Sequence, residues 1–147
     1  MELKKILCTV DFADPEHPAV EYAKMLAGLS GSSILVLHVI SSRDTYERLG
    51  LVASEVDKHM SVNREATRKR MDEFLVEHFP EGSVSGLISE GNPAETIVRI
   101  AENKDMDIIV MGTHGRGGFN KLFFGSVANE VIRTADCPVL TIRPDHV

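Results

Sequence analysis

The chain has 147 residues, 43% of them hydrophobic and 26% charged, which is the size and balance of one globular domain over 1–147 and excludes a disordered tract. Its formal net charge of −6 argues against nucleic-acid binding, and the basic cluster Arg64, Arg68, Lys69 and Arg70 reads as a solvated helix face. No apolar run reaches the roughly 20 residues of a membrane span, and Asp11 interrupts the N-terminus too early for a signal-peptide core, so no membrane association and a cytoplasmic location are expected.

Leu3 to Val10 predicts a strand buried on both faces, ending at Asp11. Asp14-Pro15 then predicts a helix start, with Asp14 as N-cap and proline just inside. Ala19, Val20, Ala23, Leu26 and Ala27 form its apolar face, and Gly31 is placed to close it in a left-handed conformation. Ile34 to Ile40 is a second apolar strand, broken only by His38, which reads first as a hydrogen-bonded core residue. A less periodic stretch from Ser41 to Ala53 precedes a helix carrying Val56, Met60, Ala66, Met71, Phe74 and Leu75, which Pro80-Glu-Gly82 stops.

Ser83 to Ser89 is a weaker strand, interrupted by Gly86. Asn92-Pro93-Ala94-Glu95 predicts the next helix start, with a capping box from Asn92 to Glu95. Ile108 to Met111 forms a fourth strand, a helix follows from near Val127, and Pro138 to Ile142 forms a fifth strand. Two cysteines, Cys8 and Cys137, sit in or beside strands, match no metal spacing or disulfide framework, and read as small buried side chains of a reducing compartment. His17, His59, His78 and His146 show no metal pattern.

Alternating strands and helices predict a three-layer α/β/α fold with a five-stranded parallel sheet. The apolar first, second and fourth strands take the middle. The serine-rich third and proline-led fifth suit the edges, giving the order 3-2-1-4-5. Ligands of such sheets bind beyond the carboxyl ends of the strands where the winding reverses, here between the first and fourth. Asp11 and Gly112 leave those two strands.

The stretch from Gly112 to Ser126, Gly-Thr-His-Gly-Arg-Gly-Gly-Phe-Asn-Lys-Leu-Phe-Phe-Gly-Ser, lies at that reversal. Glycines let backbone N–H groups approach an anion, and the following helix adds its own free N–H groups and positive dipole end. Arg116 and Lys121 are present and no acidic residue is, which suits a triphosphate. The loop is not a Walker A element, since no Gly-Lys-Ser/Thr follows at the needed spacing, and it carries no carboxylate to activate water. Each residue also has a structural role open to it: Asp11 as a turn former, Ser126 as an N-cap, His114 as a solvated loop residue. Phe119, Phe123 and Phe124 either pack the loop down or meet a partner.

Gly112, Gly115, Gly125 and Ser126 match the Gly-x2-Gly-x9-Gly-Ser/Thr mark of the universal stress protein family in its ATP-binding subgroup, which the sequence resembles over nearly its whole length. Ile6-Leu-Cys-Thr-Val-Asp11, His38-Val39 and Cys137-Pro-Val-Leu140 resemble the family's flanking signatures. The resemblance implies a Rossmann-like fold of the adenine nucleotide alpha-hydrolase type that binds ATP. In it Val39 presents its backbone to adenine, and Thr9, Val10 and Asp11 lie beside base and ribose. Met111 and Gly112 border the sugar, and Thr113 belongs to the same nucleotide site. His114, Gly115, Arg116, Gly117 and Gly118 approach the phosphates from one side, and Gly125, Ser126, Val127 and Ala128 from the helix. Mg2+ or Mn2+ would be held through the phosphates. Thr9, where many members have proline, and the pair Gly117-Gly118 depart from the pattern.

The function so implied is a nucleotide-dependent signalling module of the stress response, with an unidentified protein partner. It also implies a homodimer paired through Val139, Leu140, Thr141 and Ile142. The alternatives are a slow ATPase or adenylating enzyme of the related group, whose Ser-Gly-Gly-x-Asp-Ser and His-x-Gly-His motifs are absent, and an interaction protein with a vestigial site. Binding energy spent equally on ground and transition states does not speed hydrolysis, so a turnover enzyme is not expected.

Overall fold

Strands and helices alternate as β1 (Lys5–Thr9), α1 (Pro18–Ser30), β2 (Ser33–Ser41), α2 (Ala53–His78), β3 (Val84–Gly91), α3 (Pro93–Asn103), β4 (Ile108–Gly112), α4 (Ser126–Thr134) and β5 (Val139–Ile142). They are seen in a computed structural model that describes residues 2–12, 16–41, 50–82, 84–113 and 125–143. The strands form one parallel sheet in the order β3-β2-β1-β4-β5, as the patterning predicts.

The central strands divide their side chains between two apolar cores, because successive residues point to opposite faces. Ile6, Cys8, Val36 and Val110 pack on one face with Val20 and Ala23 of α1 and Met71 and Phe74 of α2. Leu7, Leu37, Ile109 and Met111 pack on the other with Ile97 and Ala101 of α3 and Ala128 and Val131 of α4. The polypeptide winds outward from β1 to β3 with its helices on one face, then crosses back and lays the remaining two on the other. The reversal therefore falls between β1 and β4, at the centre of the sheet.

At the opposite end of these two strands, Asp107 locks β1 to β4. Its Oδ2 accepts the backbone N–H groups of Lys4 at 2.9 Å and Lys5 at 2.8 Å, while its own N–H donates to the Lys5 carbonyl at 2.9 Å. Gly31 closes α1 at φ 73°, donating to the Ala27 carbonyl at 2.8 Å. Asn92 caps α3, its Oδ1 accepting the Glu95 N–H at 3.1 Å, which is one half of the predicted capping box.

Most strand ends fall within one or two residues of the sequence expectation, β1 being shorter than expected at Lys5–Thr9, and three further boundaries differ for identifiable reasons. The first helix starts at Pro18, with His17 as N-cap, not at Pro15; Asp14 and Pro15 lie outside the described residues. Both prolines suit a first helical position, and the His17 ring, edge-on to Phe74 at 4.8 Å, anchors the later start. β3 continues to Gly91, because β2 supplies partners as far as Ser41↔Gly91. Ser126 is the first helical residue of α4, and Gly125 is its N-cap (φ −62°, ψ 153°). The Gly125 carbonyl already accepts the Asn129 N–H at 3.1 Å, so helical bonding begins one residue earlier than predicted. Most of the stretch from Ser41 to Ala53 lies outside the described residues.

No helix among the described residues is long and apolar enough to cross a membrane.

Candidate functional site

The reversal of the sheet gathers the described candidate residues into two groups. Thr9 ends β1, half-buried; Val10 is buried and Asp11 half-buried as the backbone leaves the strand. Met111 and Gly112 end β4, and Thr113 follows with only 2% of its surface exposed. The β1–β4 pairing runs up to Cys8↔Val110, so Val10-Asp11 and Gly112-Thr113 leave the sheet side by side.

Beyond β4, Thr113 is fixed from both directions. Its N–H donates to the Ile142 carbonyl of β5 at 3.0 Å, and its carbonyl accepts the Gly125 N–H at 2.5 Å. That second bond seats the start of α4 at the tip of β4. Gly125 makes no side-chain cap and the first turn contains no acidic residue. Ser126, Val127 and Ala128 thus present N–H groups that the helix itself does not pair, at the reversal point, a setting that favours an anion. Ser126 is exposed and Ala128 is buried against the sheet. His114, Gly115, Arg116, Gly117 and Gly118 lie outside the described residues, as do Phe119, Lys121, Phe123 and Phe124.

The second group lies on the other side of β1. The β1–β2 register ends at Thr9↔Leu37, with one further bond from the Val10 N–H to the Leu37 carbonyl at 2.9 Å. Leu37 therefore turns its backbone groups toward β1. Residues two apart on a strand share that direction, so Val39 also turns its N–H and carbonyl toward the β1 side, past the end of the ladder. Val39 is half-buried and its side chain packs with the α3–α4 core.

Beside it, His38 does what a core histidine is expected to do, finding a hydrogen-bond partner: its Nδ1 lies 2.9 Å from the Val10 carbonyl. Its ring stacks on Phe12 at a centroid distance of 4.6 Å, and Phe12 stands edge-on to Phe74 at 5.4 Å. The Arg70 guanidinium lies 5.8 Å from the Phe12 centroid, so one member of the basic cluster read as solvated reaches the aromatic group at the end of β1. Sequence reasoning does not single out Phe12; its position directly after Asp11 is the available signal.

A further contact missed by sequence reading joins Arg64 of α2 to Glu90 near the carboxyl end of β3 by a two-pronged ion pair. Hydrogen bonding to Arg64 holds the Glu90 carboxyl below the usual carboxylate range. Among the described residues, no group of three or more His, Cys, Asp or Glu side chains is placed to hold a metal ion.

Comparison with known proteins places this architecture. The sequence model of the Universal stress protein family matches residues 2–143. Universal stress protein MJ0577 of Methanocaldococcus jannaschii is 31% identical over 95% of this chain and 94% of its own length. The solved structure of MJ0577 superposes with a TM-score of 0.81 at 30% identity, covering 97% of this chain and 96% of that one. A universal stress protein from Thermus aquaticus, encoded in the 3' region of a QAH/OAS sulfhydrylase, is 34% identical over 95% of this chain and 98% of its own. The universal stress protein of Archaeoglobus fulgidus in complex with dAMP shares the fold at a TM-score of 0.62 and 22% identity, covering 97% of this chain and 100% of that one.

Proposed function

The chain belongs to the universal stress protein family, and from that premise we propose that it binds ATP at the sheet reversal and works as a nucleotide-dependent regulatory module. The observation that carries this reading is the Gly125–Thr113 hydrogen bond, which sets the N-terminus of α4 at the tip of β4, beside the exit of β1. Phosphates suit that N-terminus, which carries no acid in its first turn. The edge of Val39 lies across β1 from it and offers one donor and one acceptor to a base. Asp11, between the two, is the candidate for the ribose hydroxyls.

The residues of the loop from His114 to Gly118 complete the phosphate side in this reading. A divalent cation, Mg2+ or Mn2+, would bind through the phosphate oxygens and spread their charge. The module is assigned a cytoplasmic, stress-responsive role and a homodimer. Dimer pairing is supported by β5, which has a neighbour in the sheet on one side only. Val139, Leu140 and Thr141 are half-buried, whereas the Ile142 side chain is 4% exposed and belongs to the core. Ile142 would therefore join a partner strand through its backbone.

The test is direct. Heat-denatured protein is chromatographed for released nucleotide, and Mg-ATP is titrated calorimetrically into nucleotide-free wild type and an Asp11→Ala variant. Bound ATP, with affinity reduced at least about tenfold in the variant, is expected for a lost charge-assisted hydrogen bond. Negligible heats in both proteins would sink the reading. Pyrophosphate release on adding an acid or amine substrate would favour an adenylating enzyme instead.

A further inference from the structure

We propose that His38 is a positioning residue: it takes the Val10 carbonyl away from the β1–β2 ladder and so keeps the backbone edge of Val39 open for a purine base. The inference rests on the nucleotide reading above and assigns its base selectivity.

In parallel pairing, a residue facing the neighbouring strand donates its N–H to one carbonyl and accepts at its own carbonyl from a residue two further on. Thr9↔Leu37 follows this rule, and the Val10 N–H duly donates to the Leu37 carbonyl. The next bond in sequence would run from the Val39 N–H to the Val10 carbonyl. Among the described residues the ladder stops before it, and the Val10 carbonyl meets the His38 Nδ1 at 2.9 Å. A carbonyl only accepts, so Nδ1 carries the proton and donates, whether the ring is neutral or charged.

The same imidazole also holds the other side of the exit. Its face stacks on Phe12, which is buttressed edge-on by Phe74. Val10 is therefore held by the ring's edge and Phe12 by its face, and Asp11 lies between two points fixed by one imidazole. The backbone is turned off the β2 edge at that point, and β1 cannot zip further along β2.

What remains on β2 is a backbone N–H beside a backbone carbonyl. Adenine presents the matching acceptor N1 and donor N6–H2 on its Watson–Crick edge. Guanine presents O6 and N1–H in the reverse order and would leave both protein groups mispaired. Sites built on such pairs reject the mismatched base strongly. His38 thus acts on selectivity without touching the base.

The test uses the full-length protein and three readouts. By 15N NMR of nucleotide-free wild type, Nδ1 of His38 carries the proton and the Val39 amide exchanges freely until Mg-ATP is added. A proton found on Nε2 alone, or a protected Val39 amide in the free protein, overturns the proposal without any variant. By calorimetry with Mg-ATP and Mg-GTP, His38→Phe, which keeps the stack but lacks the donor, is expected to lose about tenfold in ATP affinity while GTP binding stays weak. His38→Asn, whose amide nitrogen stands near the place of Nδ1, restores most of the preference. In the Phe variant the Val39 amide becomes slow to exchange as the Val10 carbonyl recruits it. A folded His38→Phe protein that keeps ATP affinity and ATP/GTP preference within about twofold overturns the role of His38 alone. Absence of Mg-ATP binding by wild type overturns the nucleotide reading, and this role with it.

Discussion

Thr113 and Gly125 stand at the two ends of the glycine loop, and the Gly125 N–H donates to the Thr113 carbonyl at 2.5 Å. Because the Thr113 N–H is itself bound to Ile142 of β5, both ends of the loop are tied to the sheet. Gly125→Pro isolates this bond. The backbone at φ −62° already suits proline, so the substitution removes the donor without straining φ at that residue. Deprived of this donor, the buried Thr113 carbonyl should cost the fold about 1–2 kcal/mol in urea unfolding. Nucleotide affinity should fall as the start of α4 comes away from β4. Gly125→Ala keeps the N–H and should stay near wild type in both measurements; equal losses in the two variants would refute the role of the bond.

The turn from β3 into α3 gives a second prediction. Gly91 has φ 143°, and a Cβ there would fall 2.8 Å from Oγ1 of Thr96, a residue 1% exposed. Gly91→Ala therefore combines backbone strain with a clash against a buried hydroxyl, and a loss of about 2–3 kcal/mol is expected. Combining it with Thr96→Ala should recover the steric part and leave the backbone part. A double variant no more stable than Gly91→Ala would show that the contact is not the cause.

The strand order was legible because it depends on composition: serines and glycine in β3, proline before β5, and predominantly apolar runs in β1, β2 and β4, with His38 the one polar break in β2. The Gly31 and Asn92 caps were legible because each is a local device, readable from a few adjacent residues. The helix starts at Pro18 and Ser126 were not, since Pro15 and Pro18 are equally suited by local rules and a contact to Phe74 accompanies the later start. The Arg64–Glu90 pair and the Phe12–His38–Phe74 group join residues far apart in sequence, which periodicity does not register. His38 shows the boundary well. Its need for a hydrogen-bond partner follows from its place in an apolar strand, but only the register of β1 on β2 identifies that partner as the Val10 carbonyl.

The two thiols should differ sharply in reactivity. Burial pushes the Cys8 thiol up to about 12, and no part of the residue is exposed. Cys137 is also raised, first by desolvation and then by the charges of Asp136, Asp107 and Glu102, yet it is only half-buried. In native protein near pH 8, an aromatic disulfide reagent should modify Cys137 slowly and Cys8 only on unfolding. The raised Cys8 value also means that its contribution to stability is complete below its ordinary value of 9.0 and is lost as the pH rises toward about 12. Prompt labelling of Cys8 in the folded state would contradict the tight packing of β1 between its neighbours.

Stability in acid should report two carboxylates of opposite sign. Asp107 is held below its ordinary value of 3.8, first by the backbone N–H of Lys4 and then by that of Lys5. A lowered folded value gives stability that is present above the unfolded value and lost as the pH falls through the folded one. Glu102 is raised above 4.5 by its hydrogen bond to Asp136 and by that group's charge. Its contribution is present below the unfolded value and lost as the pH rises through the folded one. Asp107→Asn should therefore destabilise at neutral pH, with the difference from wild type shrinking in acid below 3.8 as the native carboxylate takes up its proton. Glu102→Gln should behave in the reverse sense, matching wild type in acid and gaining on it toward neutral pH as the repulsion of Asp136 is removed. Urea unfolding of the three proteins across this range separates the two. Parallel pH profiles would mean that neither carboxylate titrates in the environment its neighbours describe.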